Sequence, residues 1–234
     1  MSKALSIAID GPAASGKSTL AKSLAGHLDY LYFDTGALYR AVTLAALQRK
    51  VDLENGEALA ELAVALTIDV IPSTQEDGRL YDVMIDGKDS TWAIRMPEVD
   101  ANVSKVSAYV GVRESLREQQ RRIGLRGGVV MAGRDIGTVV LPEADLKLYL
   151  DASVEERARR RHAEMSAHGE NGSIAEVEKS MRLRDEIDAG RAVAPLRPAD
   201  DAVILTSESK LPKEVLDEAI RLVKLKRSKL EQES

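Results

Sequence analysis

Short apolar runs alternate with longer amphipathic segments along this chain of 234 residues. Five runs have the length and residue types of buried strands, and they cover residues 4–9, 30–33, 129–131, 146–150 and 202–205. Between them, apolar side chains return at helical spacing, as Leu20, Leu24 and Leu28 do. Strands that are separated by helices form parallel sheets with right-handed crossovers. The pattern therefore predicts an α/β fold with a five-stranded parallel sheet.

The segment between the second and third of these strands has a different pattern. Residues 67–71 and 80–85 alternate apolar with polar side chains and are separated by a glycine-containing turn, which is typical of an antiparallel hairpin. Two helical segments follow at residues 97–106 and 109–123. We therefore expect an inserted lobe over residues 35–127 that contains a small antiparallel sheet.

A second excursion, residues 157–191, is strongly charged and helical, with an interruption at the glycines of residues 169–172. We expect it to form a helical lid, because excursions from the active-site edge of such sheets carry substrate domains and lids. The core of this single kinase-like chain is then predicted to comprise residues 1–34, 128–156 and 192–226. The charged tail, residues 227–234, is predicted to be frayed.

Composition narrows the functional classes. Apolar residues make up 44% of the chain, charged residues 30%, and the formal net charge is −5, so no general attraction to nucleic acid or anionic membranes is expected. The absence of cysteine excludes disulfides, thiolate metal sites and cysteine nucleophiles. Neither a signal peptide nor a membrane-spanning run is evident. We expect a cytoplasmic protein that binds neither nucleic acid nor membranes.

The strongest motif is Gly11-Pro-Ala-Ala-Ser-Gly-Lys-Ser18, which matches the phosphate-binding loop G-x-x-x-x-G-K-[ST] between a strand and a helix. Its glycines let successive N–H groups surround an anion, and the helix N-terminus adds partial positive charge. Lys17 would reach the outer phosphates, and the Ser18 hydroxyl would hold Mg²⁺. The predicted ATP-binding residues of this loop are Gly11, Pro12, Ala13, Ala14, Ser15, Gly16, Lys17, Ser18 and Thr19.

Arginines form a second set of candidates, because guanidinium groups bind phosphate through two hydrogen bonds and stay charged. Those in the predicted edge loops and excursions are Arg40, Arg113, Arg134, Arg157, Arg161, Arg184 and Arg191. Arg134 is the most distinctive, because it directly follows a core strand on the edge of the phosphate loop. A simpler interpretation, a solvated helix surface, is preferred for Arg117, Arg121, Arg122, Arg159 and Arg160.

Three further motifs, at residues 34–40, 132–138 and 190–196, resemble those of the bacterial cytidylate kinases, and the resemblance covers nearly the whole chain. These enzymes are nucleoside monophosphate kinases of the phosphate-loop class. The resemblance implies their fold, with a nucleotide-binding insert and a lid. It also implies transfer of the γ-phosphoryl group of ATP to CMP or dCMP in pyrimidine nucleotide metabolism, a requirement for Mg²⁺, and a monomer.

Carried onto this chain residue by residue, the resemblance implies catalytic roles for Lys17, Arg134, Arg184 and Arg191. Arg157 and Arg161 would contact ATP. The implied CMP-binding residues are Thr35, Arg40, Ser104, Arg113, Arg134, Asp135, Arg184, Asp188 and Arg191. Asp135 would accept a hydrogen bond from the cytosine amine, which disfavours UMP. The chain departs from the family at Ala132, where an acidic residue is more common.

Two alternatives remain open from the sequence. A phosphate-loop kinase of this size could act on another small acceptor, such as another nucleoside monophosphate or shikimate. A nucleotide-dependent switch is the alternative from a different class. The chain has no Asn-Lys-x-Asp guanine-binding motif and no strand ending in an Asp-Glu pair, and both absences argue against the switch.

Overall fold

The computed structural model describes residues 4–167, 172–191 and 193–233. In chain order its strands are β1 (Ser6–Asp10), β2 (Leu31–Asp34), β3 (Ile68–Pro72), β4 (Tyr81–Ile85), β5 (Lys88–Asp89), β6 (Val129–Ala132), β7 (Leu146–Asp151) and β8 (Val203–Thr206). Its helices are α1 (Lys17–Leu28), α2 (Gly36–Gln48), α3 (Gly56–Ala65), α4 (Pro97–Val106), α5 (Val110–Gly124), α6 (Val154–Ala167), α7 (Ile174–Ala189) and α8 (Pro212–Glu233).

The main sheet has five strands in the order β2-β6-β1-β7-β8, which confirms the predicted α/β architecture. β1 is central and pairs in parallel with β6 and β7, and β7 pairs in parallel with β8. All five residues of β1 are buried, as expected for a parallel strand covered on both faces. Because the strands are parallel, the segments that follow β1, β6, β7 and β8 all leave from one edge of the sheet.

Close contacts divide the chain into two compact units. The first comprises residues 1–30 and 128–234, and the second comprises residues 31–127. The second unit contains the predicted antiparallel patch as a sheet in the order β3-β4-β5. Its third strand has only two residues and was not predicted. The finer division into insert (35–127) and lid (157–191) stays a prediction.

Helix boundaries in the charged segment follow from local capping. The Ser173 hydroxyl accepts a hydrogen bond from the Glu176 amide at 3.2 Å, and the Glu176 carboxylate accepts one from the Ser173 amide at 2.9 Å. This capping box satisfies two amides that a helix start leaves without partners, and it fixes the beginning of α7. The predicted interruption at residues 169–172 falls mostly outside the described ranges.

The last helix is longer than the sequence predicts. α8 continues to Glu233, so the described part of the tail is helical, and its fraying stays a prediction. Arg227 Nη2 donates a hydrogen bond to Tyr30 Oη at 3.0 Å, and the guanidinium carbon lies 5.8 Å from the ring centroid. This contact with Tyr30, the residue before β2, holds a polar segment whose own sequence has no apolar face to pack against the core.

No helix within the described ranges is long and apolar enough to cross a bilayer.

Gly11 marks the point where the loop after β1 comes closest to β7. A Cβ atom at Gly11 would lie 2.1 Å from the carbonyl oxygen of Leu150, and the backbone φ there is +148°. The residue must therefore lack a side chain, and the loop lies directly against the end of β7.

We predict that Gly11→Ala lowers the free energy of unfolding by about 1–3 kcal/mol, because the backbone must move to relieve the overlap. Gly26→Ala in α1 is the matched control, since nothing lies within 4 Å of its added Cβ. That variant should gain about 0.5–1 kcal/mol through helix propensity. Thermal unfolding of both proteins measures the difference. Equal stability changes in the two variants would contradict the close approach.

Candidate active site

The phosphate loop connects the end of β1 to the start of α1. Three of its residues have positive backbone φ angles, Gly11 at +148°, Ala14 at +57° and Gly16 at +93°. Such conformations turn successive peptide groups toward a common point and create an anion-binding concavity. Lys17 is buried, and its Nζ donates to the carbonyl oxygen of Pro12 at 2.6 Å. The ammonium group is thus held within the loop that it is predicted to serve.

A cavity of about 1160 Å³ opens beside this loop, within the first unit. Residues 13–19 of the loop line it, together with α6, α7 and the segment that leads into α8. Arg160, Arg161 and Arg184 are among its walls. Its volume is slightly above the range of about 300–1,000 Å³ that is usual for small-molecule sites. The cavity therefore brings the predicted ATP-binding loop together with arginines of α6 and α7.

Arg157, which the sequence assigns to ATP, is almost fully buried. Its guanidinium pairs with the Asp185 carboxylate through two hydrogen bonds, of 3.2 and 2.6 Å. It also donates to the carbonyl oxygens of Ala13 at 3.3 Å and Ala152 at 3.0 Å. Arg157 therefore joins the phosphate loop, the end of β7 and α7. Arg161, by contrast, is half exposed beside Glu164.

Arg160 is a residue that the sequence assigned to the solvated surface, and the structure contradicts that interpretation. Its guanidinium donates to Ser207 Oγ at 3.0 Å and to the Ser207 carbonyl oxygen at 2.7 Å. Ser207 Oγ in turn donates to the carbonyl oxygen of Ser15 in the phosphate loop, at 2.9 Å. Helical spacing could not distinguish Arg160 from Arg161 as a site residue, because the two lie three and four positions after Arg157 and therefore on the same helix face.

A second cluster gathers four of the five predicted acceptor residues of the first unit, namely Arg134, Arg184, Asp188 and Arg191. Asp188 is its buried centre, and its carboxylate accepts from Arg134 Nε at 3.0 Å and also pairs with Arg191. Arg184 lies one turn before Asp188 on α7, so it is on the same helix face. Asp135 is also buried and directly follows Arg134. Residues distant in sequence thus combine into one arginine-rich group around a single carboxylate.

Asp10 is a site residue that the sequence analysis did not identify. Its carboxylate accepts from the amides of Ile136 at 2.8 Å and Gly137 at 2.7 Å, so it ties the end of β1 to the loop that carries Arg134 and Asp135. Burial raises the pKa of Asp10 to about 6; the two amides and Lys17 oppose this, and Asp135 adds to it. The sequence signal that could have identified Asp10 is its position as a charged residue at the end of an otherwise largely apolar strand.

Ile136 and Gly137 begin a single π-helical turn, in which the Val140 amide donates to the Asp135 carbonyl at 3.1 Å. Such turns are rare and occur often at functional sites. Ala132, where the family more often has an acid, is buried at the end of β6. The Asp10 carboxylate, at the end of the neighbouring strand, is hydrogen-bonded to this turn.

The remaining predicted acceptor residues belong to the second unit and are described within it. Thr35 is buried directly before α2. Arg40 donates to the Ile94 carbonyl at 3.4 Å and pairs with Asp100. The guanidinium carbon of Arg113 lies 5.6 Å from the centroid of the Tyr39 ring. Ser104 is an exposed residue of α4.

Ser18 offers one oxygen that suits a magnesium ion. It is exposed on the first turn of α1 and lines the cavity. Within the described ranges, no group of three or more His, Cys, Asp or Glu side chains could hold a metal. Mg²⁺ usually keeps several waters and combines one or two protein oxygens with substrate phosphates. A single hydroxyl beside a phosphate loop fits that chemistry.

Comparison with known proteins gives one family. The family model described as cytidylate kinase matches residues 7–225. The chain is 52% identical over 217 residues to a cytidylate kinase from Herpetosiphon aurantiacus, with 93% of each chain covered. It is 48% identical over 225 residues to one from Limosilactobacillus reuteri, covering 96% of this chain and 97% of the relative.

A third relative and one solved structure extend the comparison. A bifunctional pantoate ligase/cytidylate kinase from Synechococcus is 47% identical over 218 residues, which are 92% of this chain and 40% of that protein. Among solved structures, a gluconokinase from Sinorhizobium meliloti superposes with a TM-score of 0.50 at 15% identity, with both chains covered completely. At that identity the likeness concerns the fold alone.

The raised pKa of Asp10 predicts a pH dependence of stability. Between its ordinary value of 3.8 and about 6, the folded protein binds more protons at this residue than the unfolded chain does. Its contribution to the free energy of unfolding is therefore full below the ordinary value and is lost as the pH rises to about 6, by on the order of 2–3 kcal/mol.

Asp10→Asn is the reference, because the amide stays neutral throughout. We expect the wild type to lose stability relative to this variant between about pH 4 and pH 7, measured by urea unfolding. Parallel stability curves for the two proteins would show that Asp10 titrates alike in the folded and unfolded chains, contrary to the prediction.

Proposed function

The chain belongs to the cytidylate kinase family, and from that premise we propose how its residues transfer a phosphoryl group from one nucleotide to another. The reaction moves the γ-phosphoryl group of ATP to CMP or dCMP and gives ADP with CDP or dCDP. Family membership sets aside the two alternatives left open by the sequence, a kinase for an unrelated small acceptor and a nucleotide switch. Our assignment of roles depends on one observation: the first unit contains both a phosphate loop and the arginine cluster around Asp188.

On the donor side, the phosphate loop holds the triphosphate. Residues 13–19, which include the N-terminus of α1, line the cavity that the phosphates would occupy, and Lys17 supplies a full positive charge. Mg²⁺, held through the Ser18 hydroxyl, would neutralise charge on the phosphate oxygens. Arg161 contacts the nucleotide from α6. Arg157, by its buried contacts, mainly keeps the loop and α7 in place.

On the acceptor side, the arginine cluster receives the monophosphate. The guanidinium groups of Arg134 and Arg191 are both held by ion pairs with the Asp188 carboxylate. Arg184 adds a third positive group on the same face of α7. Phosphoryl transfer depends mainly on positioning and on neutralising charge, so arginines of fixed direction contribute directly to the transition state.

Base and pentose recognition follow from the same group of residues. Asp135 accepts from the cytosine amine, and a carbonyl at that position, as in uracil, would face a carboxylate. Asp188 retains acceptor capacity beyond its two arginine partners and binds the pentose together with Arg184. The resemblance adds Thr35, Arg40, Ser104 and Arg113 of the second unit as acceptor contacts.

The cellular setting completes the proposal. We expect the enzyme to act in pyrimidine nucleotide metabolism in the cytoplasm, where both of its nucleotide substrates occur. A single chain supplies all the residues assigned above, so we expect a monomer that needs neither nucleic acid nor a membrane. Sedimentation of the active enzyme checks the monomer directly.

The first prediction concerns the reaction itself. ADP release from ATP and Mg²⁺ should be fastest with CMP and dCMP, slower with UMP, and negligible with AMP, GMP, dTMP, shikimate or no acceptor. Lys17→Ala should reduce turnover by about 100-fold or more, because a fixed charge on the phosphates is lost. Lys22→Ala, on the exposed face of the same helix, is the control and should retain activity. ADP release that ignores every acceptor would contradict the assignment.

The second prediction concerns Asp188. Asp188→Ala frees Arg134 and Arg191 to repel each other, so KM for CMP and for dCMP should rise about tenfold or more while KM for ATP changes little. Glu186→Gln, an exposed neighbour on α7, controls for the loss of one negative charge. A variant that loses only ATP affinity would show that this residue does not serve the acceptor.

A further inference from the structure

One peptide group of the phosphate loop is held by a residue far away in the chain. The carbonyl oxygen of Ser15 accepts a hydrogen bond from Ser207 Oγ at 2.9 Å, and this contact is buried. Ser207 directly follows β8, so it reaches the loop from the same edge of the sheet. In a planar trans peptide, the carbonyl of one residue and the amide of the next point in opposite directions. The Gly16 amide therefore points away from Ser207.

The direction of the Ser207 hydroxyl proton is set by Arg160. The guanidinium donates to Ser207 Oγ at 3.0 Å, and because it has no acceptor it cannot receive the hydroxyl proton. That proton must point to a carbonyl, and Ser15 at 2.9 Å is closer than Asp151 at 3.4 Å. Arg160 is itself fixed by the Ser207 carbonyl at 2.7 Å and by Glu156 at 2.9 Å.

We propose that Ser207 and Arg160 are positioning residues that hold the peptide between Ser15 and Gly16 in the orientation that offers the Gly16 amide to a nucleotide phosphate. Arg160 acts mainly through the Ser207 hydroxyl, because its own contact with the Ser15 carbonyl oxygen is longer, at 3.5 Å. This proposal rests on the proposed function, because it assumes that the loop binds phosphate. It adds two residues, from α6 and from the segment after β8, to those that determine how the loop binds.

Ser207 is the best place to test the idea. Two other loop carbonyls are also tied to side chains, that of Pro12 to Lys17 and that of Ala13 to Arg157, but both anchors are charged. Removing either would change the electrostatic potential of the site as well as its geometry. The Ser207 anchor is neutral, so its removal isolates the orientation of the peptide.

The experiment measures calorimetric binding of ATP and of inorganic tripolyphosphate, without Mg²⁺ or acceptor. Ser207→Ala should weaken both by about three- to tenfold, because a buried carbonyl loses its closest donor and keeps only the longer contact with Arg160 Nη1, at 3.5 Å, so the peptide turns more freely. Ser207→Thr, which keeps the hydroxyl, should restore most of the affinity. In steady-state assays, KM for ATP should rise in the alanine variant while KM for CMP stays unchanged. If that variant does not fold, Ser207→Cys, a weak donor of similar size, should give the same direction of change.

A double-variant cycle tests whether Arg160 acts through Ser207. If it does, the variant that combines Arg160→Ala with Ser207→Ala should lose less tripolyphosphate affinity than the sum of the two single losses, because the part of the Arg160 effect that passes through Ser207 is already absent in Ser207→Ala. Arg159→Ala is the matched control, because Arg159 is the next residue on α6, pairs with the same Glu156 and is 68% exposed. It should bind like the wild type.

Each outcome separates the two levels of the proposal. Unchanged binding by Ser207→Ala, with the wild type binding normally, would overturn the positioning role and leave the phosphate loop assignment intact. Additive losses in the double variant would overturn the claim that Arg160 acts through Ser207. A wild type that binds neither ATP nor tripolyphosphate would instead overturn the proposed function.

Discussion

Repulsion between positive charges is the constraint on which this site depends. A kinase that brings two phosphate-bearing nucleotides together needs several cations at short range, and like charges disfavour one another. The fold answers with carboxylates placed behind the arginines: Asp188 holds Arg134 and Arg191, and Asp185 holds Arg157. Because these acids are partly or fully buried, their pairs are shielded from solvent more than surface ion pairs are. The direction of each guanidinium is thus a property of the folded protein, which is what electrostatic preorganisation requires.

The parallel sheet supplies the second half of the arrangement, because it delivers backbone segments to one edge at close range. Gly11 lies so close to Leu150 that a side chain at this position has no room. Asp10, one residue earlier, accepts hydrogen bonds from two amides of the loop after β6. Ser207 arrives at the same edge from β8. The phosphate loop is therefore held in place from three neighbouring strands. Its orientation is determined by non-local contacts, although its motif lies within eight consecutive residues.

These facts explain how far the sequence could predict the structure. Periodicity and a local motif were sufficient for the five-stranded sheet, the antiparallel patch and the phosphate loop, because each is encoded in neighbouring residues. The two residues of β5 are too few for any alternation to be detected. Arg160 could not be told from Arg161, since only a partner distant in sequence distinguishes them. Arg227, likewise, is ordered by Tyr30 and not by its own segment.

Asp10 has two opposing effects on the stability of the folded protein. Its raised pKa means that burial disfavours the carboxylate at neutral pH, so by itself the charge weakens the fold. Yet the amides of Ile136 and Gly137 would otherwise be buried donors without an acceptor, and each such donor costs about 1–3 kcal/mol. Each carboxylate oxygen accepts one of these amides, Oδ1 that of Ile136 and Oδ2 that of Gly137. The two amide hydrogen bonds favour the ionised form and offset part of the free energy that burial costs it, while they fix the loop after β6 to the end of β1.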